Sequence, residues 1–350
     1  HFILRLLFPG LRKSSQVFVH MALGFSLLGT LSLLQGLLFN LSQVFHWIII
    51  LIPLALGFRY CIQTLGSWFI KPIEIKNVSP YSILTTGIIM IFLALSWIMA
   101  QKLYPTGYDG ITYYGHLAKL IGEGKEIISG YQPYHWSLLM SWGWLLLDDP
   151  GLGFLLCYLP GWLGIGAMIK LSRRFLDINQ SLAVAMIWIS SPFVFYQYGQ
   201  TEKIDLALNF ILISSLLFYF QSISSRGLKK LKGHKIGKYQ ISAISLGWLA
   251  MGWILGYALG IKLTAIFAMF AFALVIFYEN GGYKMARWGF LILIGIFFTI
   301  GIERFAGSNY GSYLARMSGL ILTATGIYEI YKNYGLNSKK MKKIYRSLIP

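Results

Sequence analysis

The sequence predicts an all-α, polytopic transmembrane helical bundle of roughly 9–11 spans, counting a span as about 20 apolar residues. Three observations predict it. Only 12% of the 350 residues are charged and 56% are hydrophobic, whereas a soluble domain carries about 25% charged residues. The mean hydropathy is +0.63. The apolar runs are continuous rather than alternating, which excludes a membrane barrel. The same composition argues against a disordered chain, a coiled coil and an ordinary cytosolic enzyme.

Charge refines this reading. Lys and Arg number 30 against 12 acids, a formal net charge of +18. The bases form short clusters between apolar runs, as in cytoplasmic loops and unlike a nucleic-acid groove. Membrane lipids are therefore expected partners and nucleic acid is not. Cys61 and Cys157 lie in apolar runs without CxxC or Cys/His spacing, so no disulfide framework is expected. The first 20 residues lack a small-residue cleavage site after a clean apolar core and do not read as a cleavable signal. A start at His1 and an end at Pro350 leave open that the chain is a fragment.

The elements follow in order. Residues 1–80 hold N-terminal membrane helices, with spans near 17–39 and 46–69. Residues 81–305 form a core, with spans near 81–101, 151–171, 181–199, 205–222, 241–259, 262–279 and 288–303. Residues 306–350 are a basic tail, a truncated outer loop or a last span. The clearest orientation marker is 226–238, with Arg226, Lys229, Lys230, Lys232, Lys235 and Lys238 and no acid. Placed in the cytoplasm, it puts 102–150, 200–204 and 260–262 on the outer face. Residues 137–147 are apolar but about half a span long, and read as an interfacial or re-entrant helix that leaves Asp148 and Asp149 outside; a tilted full span is the rival. Residues 313–331 are weakly apolar and interrupted by Arg316, and read either as a last span or as part of an outer loop.

Three stretches of the outer face carry candidate chemistry, since ionisable groups at a membrane boundary are functional candidates by default. In the first loop, Pro105 and Gly107 end a span and Asp109 follows. Ile111, Tyr114, Leu117, Ala118 and Ile121 then recur at helical spacing, predicting an amphipathic helix lying on the membrane and ending at Gly122–Gly124. Asp109 reads as its N-cap or as a functional acid. In the second stretch Glu202, Lys203 and Asp205 stand where one span ends and the next begins, with Asp205 in a first helical turn. In the third, Gly252, Gly256 and Gly260 recur every fourth residue, a packing face, and Lys262 follows as a snorkelling lysine or a phosphate ligand. His116 and His135 share this side, but no HxxxH or HExxH spacing stands among them, so no metal site is assigned and a divalent ion is left open. No P-loop or GxGxxG occurs, and no nucleotide is expected.

These stretches resemble the GT-C glycosyltransferases, family 39 and the RgtA/B/C/D-like branches, related to the protein O-mannosyltransferases and aminoarabinose transferases. GYDGITYYGHLAKLIGEGK is similar to the family's first outer loop, SPFVFYQYGQTEKIDLALNF to the stretch where a second acid opens a helix, and LAMGWILGYALGIKLTAI to its glycine-rich helix before a lysine. The resemblance covers roughly residues 81–300, with weak individual motifs in a specific order. It implies transfer of a sugar from a polyprenyl-phosphate donor to a glycan, lipid or protein acceptor, by a multi-pass enzyme of the plasma membrane acting on the outer face. Asp109 then matches the catalytic acid, Asp205 the second acidic position and Lys262 the lysine after the glycine-rich helix. The sequence departs from the family where Tyr113-Tyr114 replaces a common Tyr-His, and where Gln132-Pro133-Tyr134-His135 replaces Glu-Lys-Pro-Pro.

On that reading Asp109 is the general base. Lys262, with Lys203 or Arg304, holds the leaving phosphate, and Asp205 orients the acceptor or Asp109. Glu202, His116 and His135 join the substrate site. Tyr113, Tyr131, Tyr134 and Trp136 pack against sugar faces. The rivals are a transporter or lipid-linked-saccharide flippase, against which stand the lack of an internal repeat and charges at the boundary rather than the midplane, and an accessory subunit with a decayed site.

Overall fold

Caps and breaks in the sequence divide the chain into helices. The structure, a computed structural model, describes residues 16–70, 79–101, 110–128, 135–199, 204–220, 234–236, 239–241, 243–300 and 309–334. Helix α1 is Gln16–Leu38, α2 is Gln43–Ile70 and α3 is Pro80–Ala100. A π turn, Gly110–Tyr114, leads into α4, Gly115–Gly124. Two six-residue helices follow, α5 (His135–Met140) and α6 (Trp142–Leu147). Then come α7 (Gly151–Ser172), α8 (Ile178–Ser190), α9 (Pro192–Gly199) and α10 (Asp205–Phe218). A ribbon of β1 (His234–Ile236) and β2 (Tyr239–Ile241) precedes α11 (Ala243–Ile261), α12 (Ala265–Ile300) and α13 (Asn309–Tyr334).

Among the described residues, Val17–Leu38, Pro80–Ile98 and Gly151–Ser172 are long and apolar enough to cross a membrane. Helices α8 and α9, bent by 75° at Ser191, make a fourth if counted as one span. The ribbon departs from the all-α expectation: β1 and β2 pair antiparallel, with His234 opposite Ile241 and Ile236 opposite Tyr239. Its sequence signal is the Gly237–Lys238 dipeptide between two short runs.

The chain divides into two compact units, His1–Ala243 with Ala250–Leu263, and Ile244–Leu249 with Thr264–Pro350. In the first, α7 and α10 run side by side because glycine removes bulk between them: Gly161 faces Leu206 and Tyr198, and Gly164 faces Phe210. Tyr198 sits edge-on to Phe92, Tyr158 and Trp188 in a core shared by α3, α7, α8 and α9. One end of this unit is marked by Ser79, which caps α3 and donates to Asn179 at the start of α8 (2.8 Å). Asp177 and Gln180 close a capping box on α8 there, just after Arg173 and Arg174. Asp148 and Asp149 precede α7 at the opposite end.

One sequence expectation changes, and one rival reading is removed. Helix α4 is amphipathic and ends at Gly124, with Lys125 left-handed at φ 55°. Its apolar face does not lie on lipid: Leu117 and Ile121 pack with Leu41, Leu138 and Leu145. Residues 137–147 are not one tilted span but two helices broken at Ser141, each about 9 Å long at 1.5 Å per residue. Trp136, Leu138, Leu139, Met140 and Trp142 are all buried. Two polar contacts clamp this segment from α1 and α2, and a third joins those two helices to each other. Ser32 accepts from the Trp142 indole (3.1 Å), His46 Nε2 lies 3.1 Å from the same hydroxyl, and Gln43 donates to the Leu146 carbonyl (3.2 Å).

In the second unit α12 is a hairpin rather than a rod. Gly282 adopts φ 71°, which L side chains rarely reach. The arms fold back so that Phe277 meets Gly289, and Phe270 meets Phe297. Helix α13 then packs antiparallel on the second arm. A Cβ on Gly319 would lie 2.6 Å from the Gly295 carbonyl, and one on Gly326 2.8 Å from the Trp288 carbonyl. Small residues permit that approach of backbones, as between membrane helices.

Candidate functional site

Asp205 opens α10, whose N-cap, Ile204, offers no side-chain cap. An acid in the first turn offsets the positive end of the helix dipole. Lys262 stands just past α11, its amide bonded to the Ala258 carbonyl at 3.1 Å. A cation there offsets the negative end of that dipole. Because α10 starts where α11 ends, the two charges meet: Lys262 Nζ donates to Asp205 Oδ1 at 2.6 Å. The lysine side chain is 34% exposed and the aspartate 14%, so the pair opens to its surroundings on the lysine side. Lys262 is therefore an ion-pair partner rather than a lone snorkelling lysine.

One turn back along α11 the first loop is anchored. His135 begins α5 and lays its ring against Tyr257, centroids 5.5 Å apart. Its carbonyl accepts from the Tyr257 hydroxyl at 3.3 Å. Its ring hydrogen-bonds the Gly260 backbone, and burial, the larger effect, holds its pKa below the ordinary value. A Cβ on Gly260 would overlap that ring. Trp136 continues the contact, 5.4 Å from Phe25 of α1 and 6.4 Å from Tyr257, while Phe25 meets Phe210 of α10 edge-on at 6.3 Å. Helices α1, α5, α10 and α11 thus share one aromatic core beneath the ion pair.

Of the residues that the sequence singles out, the structure joins Asp205 to Lys262 and seats His135 on the same helix end. Tyr113 is half-buried, edge-on to Tyr114 at 4.9 Å, and His116 is exposed. Asp109, Glu202, Lys203 and Arg304, with Tyr131 and Tyr134, lie outside the described residues. The glycine stripe divides: a Cβ at Gly252 or Gly256 meets nothing within 4 Å among the described residues, and only Gly260 is tightly enclosed, by a histidine rather than a helix. Sequence reasoning missed Tyr257 and the true role of Gly260. The available signal was their i, i+3 spacing on one face, directly before Lys262.

Among the described residues no three His, Cys, Asp or Glu side chains group as a metal site. Set against protein-family models, curated proteins and solved structures, the chain matches none. Chemically, the arrangement offers a partly exposed ammonium in a charge-assisted hydrogen bond to a first-turn carboxylate.

Proposed function

We propose that the chain is a polytopic membrane glycosyltransferase of the GT-C kind. It moves a sugar from a polyprenyl-phosphate donor to an acceptor hydroxyl on the outer face of the plasma membrane. The remaining apolar segments, among them Gln43–Ala55, Asp205–Phe218, Ala250–Ile261 and Ala265–Glu279, are read as parts of further spans, for roughly 9–11 in all. The observation that carries the proposal is the Asp205–Lys262 pair, formed at the helix end where the first loop docks through His135.

In the reaction Asp109 takes the proton of the acceptor hydroxyl. The acceptor oxygen bonds the anomeric carbon, and the carbon–oxygen bond to phosphate breaks with its electron pair on the phosphate. One displacement gives inversion, and polyprenyl phosphate leaves. Lys262 offsets the charge that grows on that leaving group. Asp205 positions Lys262, and the aromatics of the first loop face the sugar.

The test is sugar transfer from a panel of polyprenyl-phosphate sugars by purified protein in lipid. Asp109→Asn should lower turnover about 10²–10⁴-fold, as loss of a general base does. Lys262→Met should lower it about 10²–10³-fold, as loss of one charge-stabilising donor does. Equal turnover in wild type and Asp109→Asn would remove Asp109 as the base. A second reading, a flippase, draws on the 75° break between α8 and α9, since transporters use interrupted helices. Movement of the same lipids between leaflets without sugar transfer would favour it.

A further inference from the structure

We infer that the Asp205–Lys262 pair is an exchange latch: Asp205 holds Lys262 until a phosphate takes the lysine, and reclaims it afterwards. The inference rests on the glycosyl-transfer reading only for the lipid that carries the phosphate.

Four observations lead to it. Each charge keeps a second source of support when the pair opens, Asp205 at the start of α10 and Lys262 beyond the end of α11. Neither is stranded by separation, unlike the partners of a buried ion pair. The lysine is the more exposed member, 34% against 14%, so an incoming anion reaches the ammonium first. A pair open on its lysine side is weaker than a fully buried one, so exchanging one anion for another costs less there. Finally, the ammonium rides on a flexible four-carbon stem with three donors, whereas the carboxylate is fixed to a helical turn. The moving part is therefore Lys262.

The charges of the phosphate give the latch a direction. A sugar phosphodiester carries one negative charge, as Asp205 does. The phosphomonoester left after transfer approaches two at neutral pH. Lys262 is thus shared evenly between Asp205 and the donor, and is drawn to the phosphate as the leaving group forms. That is stabilisation weighted toward the transition state. Asp205 then competes with the bound monoester, which favours release of the product.

The test is binding of polyprenyl monophosphate, and of its methyl diester, to the protein in lipid nanodiscs at pH 7.5. Asp205→Asn should tighten monophosphate binding about two- to fivefold, the worth of a partly exposed pair. Lys262→Met should weaken it at least about tenfold. In the Lys262→Met background, Asp205→Asn should change nothing. Weaker or unchanged monophosphate binding in Asp205→Asn would overturn the latch and leave the pair a structural staple. The wild type supplies a measurement that needs no variant to fold: the monoester should bind more tightly than the diester, and equal affinities would also overturn the latch. Inorganic phosphate that competes in wild type but not in Lys262→Met would support exchange driven by the anion alone. Competition by polyprenyl monophosphate but not by inorganic phosphate would support exchange that needs the lipid. The two proposals fail separately. Sugar transfer without tightening in Asp205→Asn removes the latch, and tightening without transfer from any donor removes the enzyme reading.

Discussion

Gly260 shows how one missing side chain shapes the site. Its hydrogen leaves room for the His135 ring against the α11 backbone. Gly260→Ala should therefore push α5 away from α11 and destabilise the fold by about 1–3 kcal/mol, the usual cost of overpacking; unchanged thermal unfolding in lipid or detergent would show that the ring is not seated there. His135, at the start of the six-residue helix α5 and outside the segments read as spans, also confers a pH dependence. Its pKa is lowered on folding from an ordinary 6.5 by burial, so below that pH the unfolded chain binds more protons than the folded one. Its contribution is complete above pH 6.5 and is lost as pH falls toward the lower folded value. Unfolding midpoints measured across that window should drop in wild type and stay flatter in His135→Gln. Ser32 is a third such residue, a buried hydroxyl between His46 and Trp142. Ser32→Ala leaves both partners without that bond and should cost about 1–3 kcal/mol in denaturant unfolding.

Helical periodicity located α4, yet not what its apolar face touches. Leu117 and Ile121 show the same spacing whether they meet lipid or Leu138 and Leu145. The choice depends on α5 and α6, twelve residues of helix too short to cross the membrane and buried by α1, α2 and α4. At the far end of the chain, Arg316 and weak apolarity made α13 ambiguous, and its packing made it one 26-residue helix. Gly295 and Gly319 let its backbone reach that of α12. Gly319→Leu should pry the two apart, with a loss of about 1–3 kcal/mol and faster proteolysis of the 309–334 segment. If proteolysis is unaffected, the contact between the two glycines carries no stability.

Across the first unit, the contacts agree with the loop charges on which residues share an end. The starts of α3 and α8 meet through Ser79 and Asn179 beside Arg173 and Arg174. The start of α10 meets the end of α11 through Asp205 and Lys262. Cysteines at Arg173 and Asp149 should therefore be labelled by an impermeant maleimide from opposite sides of sealed vesicles; labelling from one side would refute the topology on which the proposed outer site depends. Composition and the continuity of the apolar runs determined that the chain is mostly helical, with three or four helices among the described residues long and apolar enough to cross a membrane, because a helix satisfies its own backbone away from water. Sequence order also named Asp205, Lys262 and His135 as candidates, because charges are rare enough in such a chain to stand out. Only the tertiary structure decided that Asp205 and Lys262, 57 positions apart, are partners, that Gly260 serves a histidine and that the face of α4 is covered by protein. Those outcomes follow from which helix ends coincide in space, and neither periodicity nor charge count along a chain carries that information.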